Sequence, residues 1–237
     1  MNNPMADDGG NSSSYGTDAP APKSVLSVVE LIRVMDIAAD LMLANASLTL
    51  SGDLLAEHDP AAIYGDLREA DLSALRDQSQ ELVGRWARLV ENTTFMQDIA
   101  LRLNDAQIEH ALRLANLHDS AHAVRLREAA QAEGGIAAWM RPRIDGLQEE
   151  FVARLRAAEE IRGLLTGQSS GTITTFASVL GCALGVVETG VGLYLVETAV
   201  TTAVASAGAA APASTIIGAE GAALTSAGLI TASMQCF

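Results

Sequence analysis

The sequence predicts an all-α fold: an elongated helical bundle of long antiparallel helices that ends in an apolar, Ala/Gly-rich helical hairpin. Hydrophobic residues make up 49% of the 237 residues but aromatic residues only 4%, so the core is expected to be aliphatic and Ala-rich. Ala and Leu, which are strong helix formers, dominate the chain before residue 170. Residues 171–237 contain no Lys or Arg, and their only charges are Glu188, Glu197 and Glu220.

These patterns divide the chain into three parts. Residues 1–23 are rich in Asn, Ser, Gly, Asp and Pro, which predicts a disordered leader. Residues 24–167 form the soluble helical bundle and residues 168–237 the apolar hairpin. The leader lacks the basic start and apolar run of a secretory signal. We therefore expect a membrane-associated protein, or one secreted by a route that uses no such signal.

The net charge of −14 narrows the choice of partners. Binding to nucleic acid needs clustered Lys and Arg to neutralise phosphates, so nucleic acid is not an expected partner. The same acidity disfavours electrostatic docking on anionic lipid.

The first helix is predicted to begin near Ser24 or Ser27 and to end near Ala46. Ser27 and Glu30 fit a capping box, in which each side chain accepts a hydrogen bond from the other residue's backbone amide. The four charged residues of this helix form one narrow stripe, so we expect the helix to be buried on most sides. Turn residues predict a connector over Thr49–Gly65.

Apolar spacing predicts three further soluble helices. The second runs from about Asp71 to Val90. The third is a single helix over Thr94–Glu133, about 60 Å long at 1.5 Å per residue, which Gly134 and Gly135 end. The fourth follows Pro142, extends to Leu165 and packs against the third like a coiled coil. Arg154 is among the charged residues expected on or beside its polar face. The polar run after it ends at Gly171, which is predicted to be a hinge.

The hairpin separates small residues from bulky ones on each of its two arms. On the first arm, Gly171–Gly208, the small face includes Gly181, Gly185, Glu188 and Gly192. On the second arm, Ser214–Gln235, small residues recur at alternating spacings of four and three: Ser214, Gly218, Gly221, Thr225, Gly228 and Ala232. This separation is typical of membrane helices that pack backbone to backbone.

The two small faces are predicted to meet, with a second hinge at Pro212, where a helix interior cannot continue. Each arm has about 20 residues, which is enough to cross a bilayer core. Val and Thr enrichment leaves a strand open over Thr172–Phe176 and Val196–Val204.

The two cysteines, Cys182 and Cys236, both lie in the hairpin. The favoured interpretation is two small, buried hydrophobic residues. The alternative is a disulfide that closes the hairpin in an oxidising compartment.

The chemistry-bearing residues are few. His118 and His122 are four residues apart, which predicts one helical face. They could bind a metal with Glu109 or Asp119, or act as a pH-sensing pair. Protonation of Glu188, Glu197 and Glu220 at acid pH would favour burial in lipid. Phosphate loops, nucleophile elbows and dinucleotide fingerprints are missing from the sequence, so we expect a non-enzymatic protein without a cofactor.

The sequence therefore predicts a membrane-inserting or pore-forming helical protein whose sheltered hairpin inserts or oligomerises conditionally. Gly, Ala, Ser and Thr gain little from lipid, and a central carboxylate costs about 2.5–3.5 kcal/mol, so a permanent anchor is not expected. The layout is similar to that of α-helical pore-forming toxins and secreted translocators, in architecture alone. The alternative is a self-assembling scaffold or virion-type protein whose tail is the assembly interface. The expected partners are membrane lipid and further copies of the chain.

Overall fold

The computed structural model describes residues 26–57, 68–168, 181–206, 208 and 210–237. This part of the chain folds into helices joined by turns, without strands, which confirms the all-α class. The leader, the second half of the predicted connector, Gly171 and the strand alternative at 172–176 lie outside it. The nine helices within the described residues are α1 (Val28–Glu57), α2 (Glu69–Glu91), α3 (Thr93–Ala100), α4 (Asp105–Leu114), α5 (Ala121–Gln131), α6 (Ile136–Ile144), α7 (Leu147–Leu165), α8 (Cys182–Ala205) and α9 (Ala211–Gln235).

Helix α1 begins with the predicted capping box. The Ser27 amide donates to the Glu30 carboxylate at 2.9 Å, and the Glu30 amide donates to the Ser27 hydroxyl at 3.2 Å. The helix then continues to Glu57, so the predicted end near Ala46 is wrong. It is also not buried on most sides, because Val28 and Val29 at its start are 73% and 76% exposed.

The predicted helix over Thr94–Glu133 is wrong, because the chain is interrupted twice and forms α3, α4 and α5. Asn104 starts α4 with a capping box: its side chain accepts from the Gln107 amide, and the Gln107 side chain accepts from the Asn104 amide. Asn116 then adopts a positive φ of 57°, and the Ser120 hydroxyl caps α5. Apolar spacing continues across both breaks, so periodicity alone does not reveal them.

The turn after α5 matches the prediction. Gly134 and Gly135 both have positive φ, and a Cβ atom on Gly135 would overlap the Asp105 carboxylate. Helix α6, which contains Pro142, then precedes α7. Helix α7 packs mainly against α2, and the single helix over Thr94–Glu133 with which it was expected to pair does not form, so the expected coiled-coil partner was wrong.

The centre of the bundle is α8. Its residues Ala183–Glu197 are buried without a break, enclosed by α1, α3, α4, α6, α7 and α9. The strand alternative over Val196–Val204 is wrong, since these residues are helical. Helix α9 runs back along α8 and carries Pro212 in its first turn, where a missing amide proton costs nothing. One continuous hydrophobic core includes residues of the soluble helices and of the hairpin.

Candidate functional site: the enclosed hairpin

The small-residue faces of α8 and α9 meet along a close seam. A Cβ atom on Gly192 would lie 2.5 Å from the Thr225 amide nitrogen and 2.7 Å from the Gly221 carbonyl oxygen. Gly185 and Gly228 make comparable approaches to Ala232 and Thr189, respectively. Gly218 is less constrained, since a Cβ there would lie 3.4 Å from Ala199 Cβ. A Cβ atom on Gly221 would likewise lie 2.7 Å from the Gly192 carbonyl oxygen, so the two backbones pack directly against each other at four glycine positions.

The two threonine hydroxyls on this seam are hydrogen-bonded within their own helices. The Thr189 hydroxyl donates to the Gly185 carbonyl at 2.7 Å, and the Thr225 hydroxyl donates to the Gly221 carbonyl at 2.7 Å. A hydroxyl bonded in this way needs no water and no partner from another helix. The seam is thus stabilised by contact between backbones, with its threonine hydroxyls already paired.

The start of α8 is held by a side chain from α7. The two Glu150 carboxylate oxygens accept from the Ala183 and Leu184 amides, each at 2.9 Å. A carboxylate at a helix N-terminus satisfies free amides and interacts favourably with the helix dipole. A Cβ on Gly181 would overlap the Glu150 carboxylate, so this glycine contacts Glu150 and does not contribute to the seam.

Cys182 and Cys236 form a disulfide, with Cα atoms 4.9 Å apart. The favoured interpretation of two unbridged hydrophobic residues was therefore wrong. The bridge joins the first residue of α8 to the residue after α9, so it closes the hairpin at the end opposite its turn. Phe237 stacks on Trp139 of α6 at a centroid distance of 5.5 Å, which fixes the same end to the bundle.

Glu188 and Arg154 form a buried cluster of ionisable side chains near this end. Glu188 is 1% exposed and Arg154 is fully buried. Arg154 Nη1 donates to Glu150 Oε2 at 3.4 Å. Among the described residues, Glu188 Oε2 and Arg154 Nη2 have no hydrogen-bond partner. Helix α7 therefore places the Arg154 cation near Glu188, and the Glu188 side chain does not face a water-filled lumen.

Burial decides the protonation of this cluster. It raises the pKa of Glu188 to about 8, against a smaller opposing effect of Arg154 and a small reinforcing effect of Glu150. Burial also lowers the pKa of Arg154. Glu188 is therefore mostly neutral at pH 7, with Arg154 pairing with Glu150. Acid pH adds little to the neutralisation of Glu188.

The other two hairpin glutamates have different environments. Glu197 is 7% exposed, and its Oε1 lies 2.7 Å from His110 Nδ1 on α4. It therefore pairs with a side chain of the bundle. Glu220 on α9 is half-buried, and its Oε2 has no hydrogen-bond partner within the described chain.

His118 and His122 do not share a helical face. His118 lies in the turn between α4 and α5, where its Nδ1 accepts from Arg127 at 2.7 Å and lies 3.2 Å from a Glu109 carboxylate oxygen. The Arg127 guanidinium lowers the pKa of that carboxyl. His122 lies on α5 and bonds to the Ser233 hydroxyl of α9 at 2.7 Å. The two rings have separate partners, so the expected face of paired histidines was wrong.

The described residues contain no group of three or more His, Cys, Asp or Glu placed to hold a metal ion. By length and composition, α8 and α9 are both able to cross a membrane, although core helices of water-soluble proteins meet the same criteria.

Function must be argued from this geometry. Comparison with family models, curated proteins and solved structures finds no match. The residues that define the hairpin's environment are Glu150, Arg154 and His110, and none of them was singled out for this role from the sequence.

Arg154 was assigned from the sequence to the polar face of the last soluble helix. A signal for its burial was present, because it continues the spacing of four and three shared by the buried residues Leu147, Phe151, Ala158 and Ile161. An arginine in such a row has to meet a carboxylate inside the core.

Proposed function

We propose that this protein is a non-enzymatic, membrane-inserting helical protein, whose hairpin leaves the bundle and enters lipid to form an anchor or an oligomeric pore. One observation carries the proposal: the most enclosed helix, α8, is a 24-residue apolar helix of membrane-spanning length, and a second such helix is packed along it. The amphipathic helices around α8 then act as a shelter that keeps it from water.

The α8–α9 seam supports this proposal. Helices in lipid associate through close packing of small residues, because the hydrophobic effect no longer drives their contact. The glycine contacts at Gly185, Gly192 and Gly228 meet this requirement and would act as a glycine zipper. The threonine hydroxyls of the seam would keep their hydrogen bonds as the hairpin enters lipid, because each acceptor lies in the same helix as its donor. This matters because an unpaired polar group in hydrocarbon costs several kcal/mol.

The disulfide also supports transfer of the hairpin as one unit. It links α8 to α9 beyond the ends of their seam, so the two helices stay paired when their contacts with the bundle are lost. A disulfide persists in oxidising compartments, which would place the folded protein outside the reducing cytosol.

Dye release from liposomes tests the proposal. Full-length protein with its disulfide intact is added to phosphatidylcholine vesicles at pH 7 and pH 5, and released dye and co-flotation with the vesicles are measured. We expect release together with flotation in at least one condition. Glu188→Gln is the matched control, because it keeps the side-chain size and fixes the neutral form; it should release dye at least as well. If dye release and flotation are both absent at pH 7 and also at pH 5, the proposal is contradicted.

A second candidate function, a self-assembling scaffold, is favoured by the outer side of α9. Its exposed apolar residues include Ile216, Ile230 and Met234. Another copy of the chain would bury this side and form an oligomer. Because deleting the tail would remove the bundle's core, the test is Ile230→Asp with sedimentation analysis in the absence of lipid. Conversion of a wild-type oligomer to a folded monomer would favour the scaffold, and a monomeric wild type would exclude it.

A further inference from the structure

The two ends of the hairpin differ in how they are held. Its base is fixed by the Cys182–Cys236 disulfide, by the Glu150 cap on α8 and by the stacking of Phe237 on Trp139. The opposite end, which we call the hairpin tip, is the turn with its flanking residues, of which the structure describes 204–206, 208 and 210–216. Hydrogen bonds of Ser206, Gly208 and Ala210 in the tip stay within the hairpin.

The tip exposes apolar residues to solvent. Val204 is 75% exposed and Ile216 is 57% exposed. Ala211, Pro212 and Ala213 between them are also exposed. Single exposed apolar residues are ordinary on a protein surface, but these residues lie together on either side of one turn.

The tip also lies within the longest stretch of the hairpin sequence that contains no charged residue. Residues 198–219 contain no Asp, Glu, Lys or Arg, so 22 residues separate Glu197 from Glu220. This segment could enter hydrocarbon without moving a charged side chain into it. At the base, by contrast, the Glu188, Arg154 and Glu150 cluster would have to be separated first.

We infer that the hairpin tip makes the first contact with lipid, and that it selects an electrically neutral, phosphatidylcholine-type surface. This inference rests on the proposed function and names the order of insertion and the lipid chemistry. The choice of neutral lipid follows from charge: the chain carries a net −14, and the hairpin has no Lys or Arg to attract an anionic headgroup.

The chain offers a matched pair of variants for the test. Val204→Asp places a charge in the tip, and Val28→Asp places the same charge at the start of α1, where the valine is 73% exposed. Both side chains lie mostly in water, so both variants should keep the wild-type fold, as checked by circular dichroism and urea unfolding. Ile216→Asp is a second tip variant in case Val204→Asp does not fold.

Binding is measured by flotation with vesicles of phosphatidylcholine alone and with one third phosphatidylglycerol, at low salt and at the pH where the wild type releases dye. We expect Val204→Asp to bind at least about tenfold more weakly than the wild type, a change of about 1.4 kcal/mol. Val28→Asp should stay within about twofold of the wild type on the same scale. Phosphatidylglycerol should weaken binding of all three proteins, less so at high salt.

Four results would overturn the inference: equal binding by the wild type and Val204→Asp, equal losses for Val204→Asp and Val28→Asp, stronger binding on phosphatidylglycerol, or a change in oligomeric state caused by Val204→Asp without lipid. In each of these cases the wild type still binds vesicles, so the proposed function survives. A wild type that binds neither vesicle and releases no dye would instead refute the proposed function, and this inference with it.

Discussion

Replacing Gly192 by Ala should destabilise the protein, although alanine is the better helix former. The added Cβ would lie 2.5 Å from the Thr225 amide nitrogen, roughly 1 Å closer than the 3.5–4.0 Å of a favourable non-bonded contact. Two of the three nearest atoms, Thr225 N and Gly221 O, belong to the backbone of α9, so rotating the Thr225 side chain cannot relieve the overlap. Helices α8 and α9 would have to separate, or shift along each other, over a buried interface.

The size of the effect follows from two opposing contributions. Overpacking a core costs about 1–3 kcal/mol, while exchanging Gly for Ala inside a helix gains about 1 kcal/mol. Gly192→Ala should therefore lower the free energy of unfolding by up to about 2 kcal/mol. Gly218→Ala is the matched control on the same hairpin, because its Cβ has 3.4 Å of space beside Ala199. It should be neutral or stabilising by up to about 1 kcal/mol.

Thermal unfolding followed by circular dichroism, with the disulfide intact, measures the difference. The gain in helix propensity is common to both variants, so they differ by the overpacking cost of about 1–3 kcal/mol. For a chain of this size 1 kcal/mol corresponds to about 2–4 °C, so Gly192→Ala should melt roughly 2–12 °C below Gly218→Ala. Equal melting temperatures for the two variants, or a higher one for Gly192→Ala, would refute the close approach of the two backbones.

Two further predictions concern the base of the hairpin. The pKa of Glu188 in the folded protein, about 8, is above its ordinary value of 4.5, so its contribution to stability is complete below pH 4.5 and is lost as the pH rises through 8. Between pH 5 and 8, the free energy of unfolding of the wild type, measured in urea, should therefore fall by up to about 1.4 kcal/mol per pH unit relative to that of Glu188→Gln. If the difference in unfolding free energy between the two proteins does not change with pH, this prediction is contradicted. Reducing the Cys182–Cys236 disulfide, which spans 54 positions, should lower stability by about 4 kcal/mol, and an unchanged melting temperature in reductant would argue against the bridge.

Local patterns in the sequence predicted the hairpin well. The alternating spacing of Gly221, Thr225 and Gly228 places these residues on one face of a helix. This follows from the periodicity of an α-helix alone and does not depend on tertiary contacts. The Ser27–Glu30 capping box is equally local, since both partners lie within one turn. These features depend on residues close in sequence, and the structure contains both.

The environment of the site depends on residues that are distant in sequence. Whether Cys182 meets Cys236 is decided by the register of α8 on α9, to which each glycine contact contributes. Arg154 was assigned to a polar face because arginine is mostly exposed, although its spacing places it in an apolar row. The partner of Glu197, His110, is 87 residues away and becomes visible only once α4 is known to pack on α8.

The breaks between α3, α4 and α5 were missed for another reason. Apolar residues on either side continue the spacing expected of one helix, so the periodicity suggests continuity. Asn104 and Gln107 form the capping box that identifies the start of α4. Such a box is evidence for a helix start even where the apolar row continues through it.

The enclosure of α8 has a consequence for biosynthesis. The ribosome makes α1 to α7 before α8, so the helices of the shelter emerge before the helix they have to surround. Until α8 follows, the helices that pack on it, such as α3 with its buried Met96, lack the central part of their shared core. Incomplete cores with exposed apolar surface are prone to aggregation. We therefore expect this fold to form largely after α8 has been synthesised, and expression of the full chain to depend on chaperones that hold the nascent helices apart.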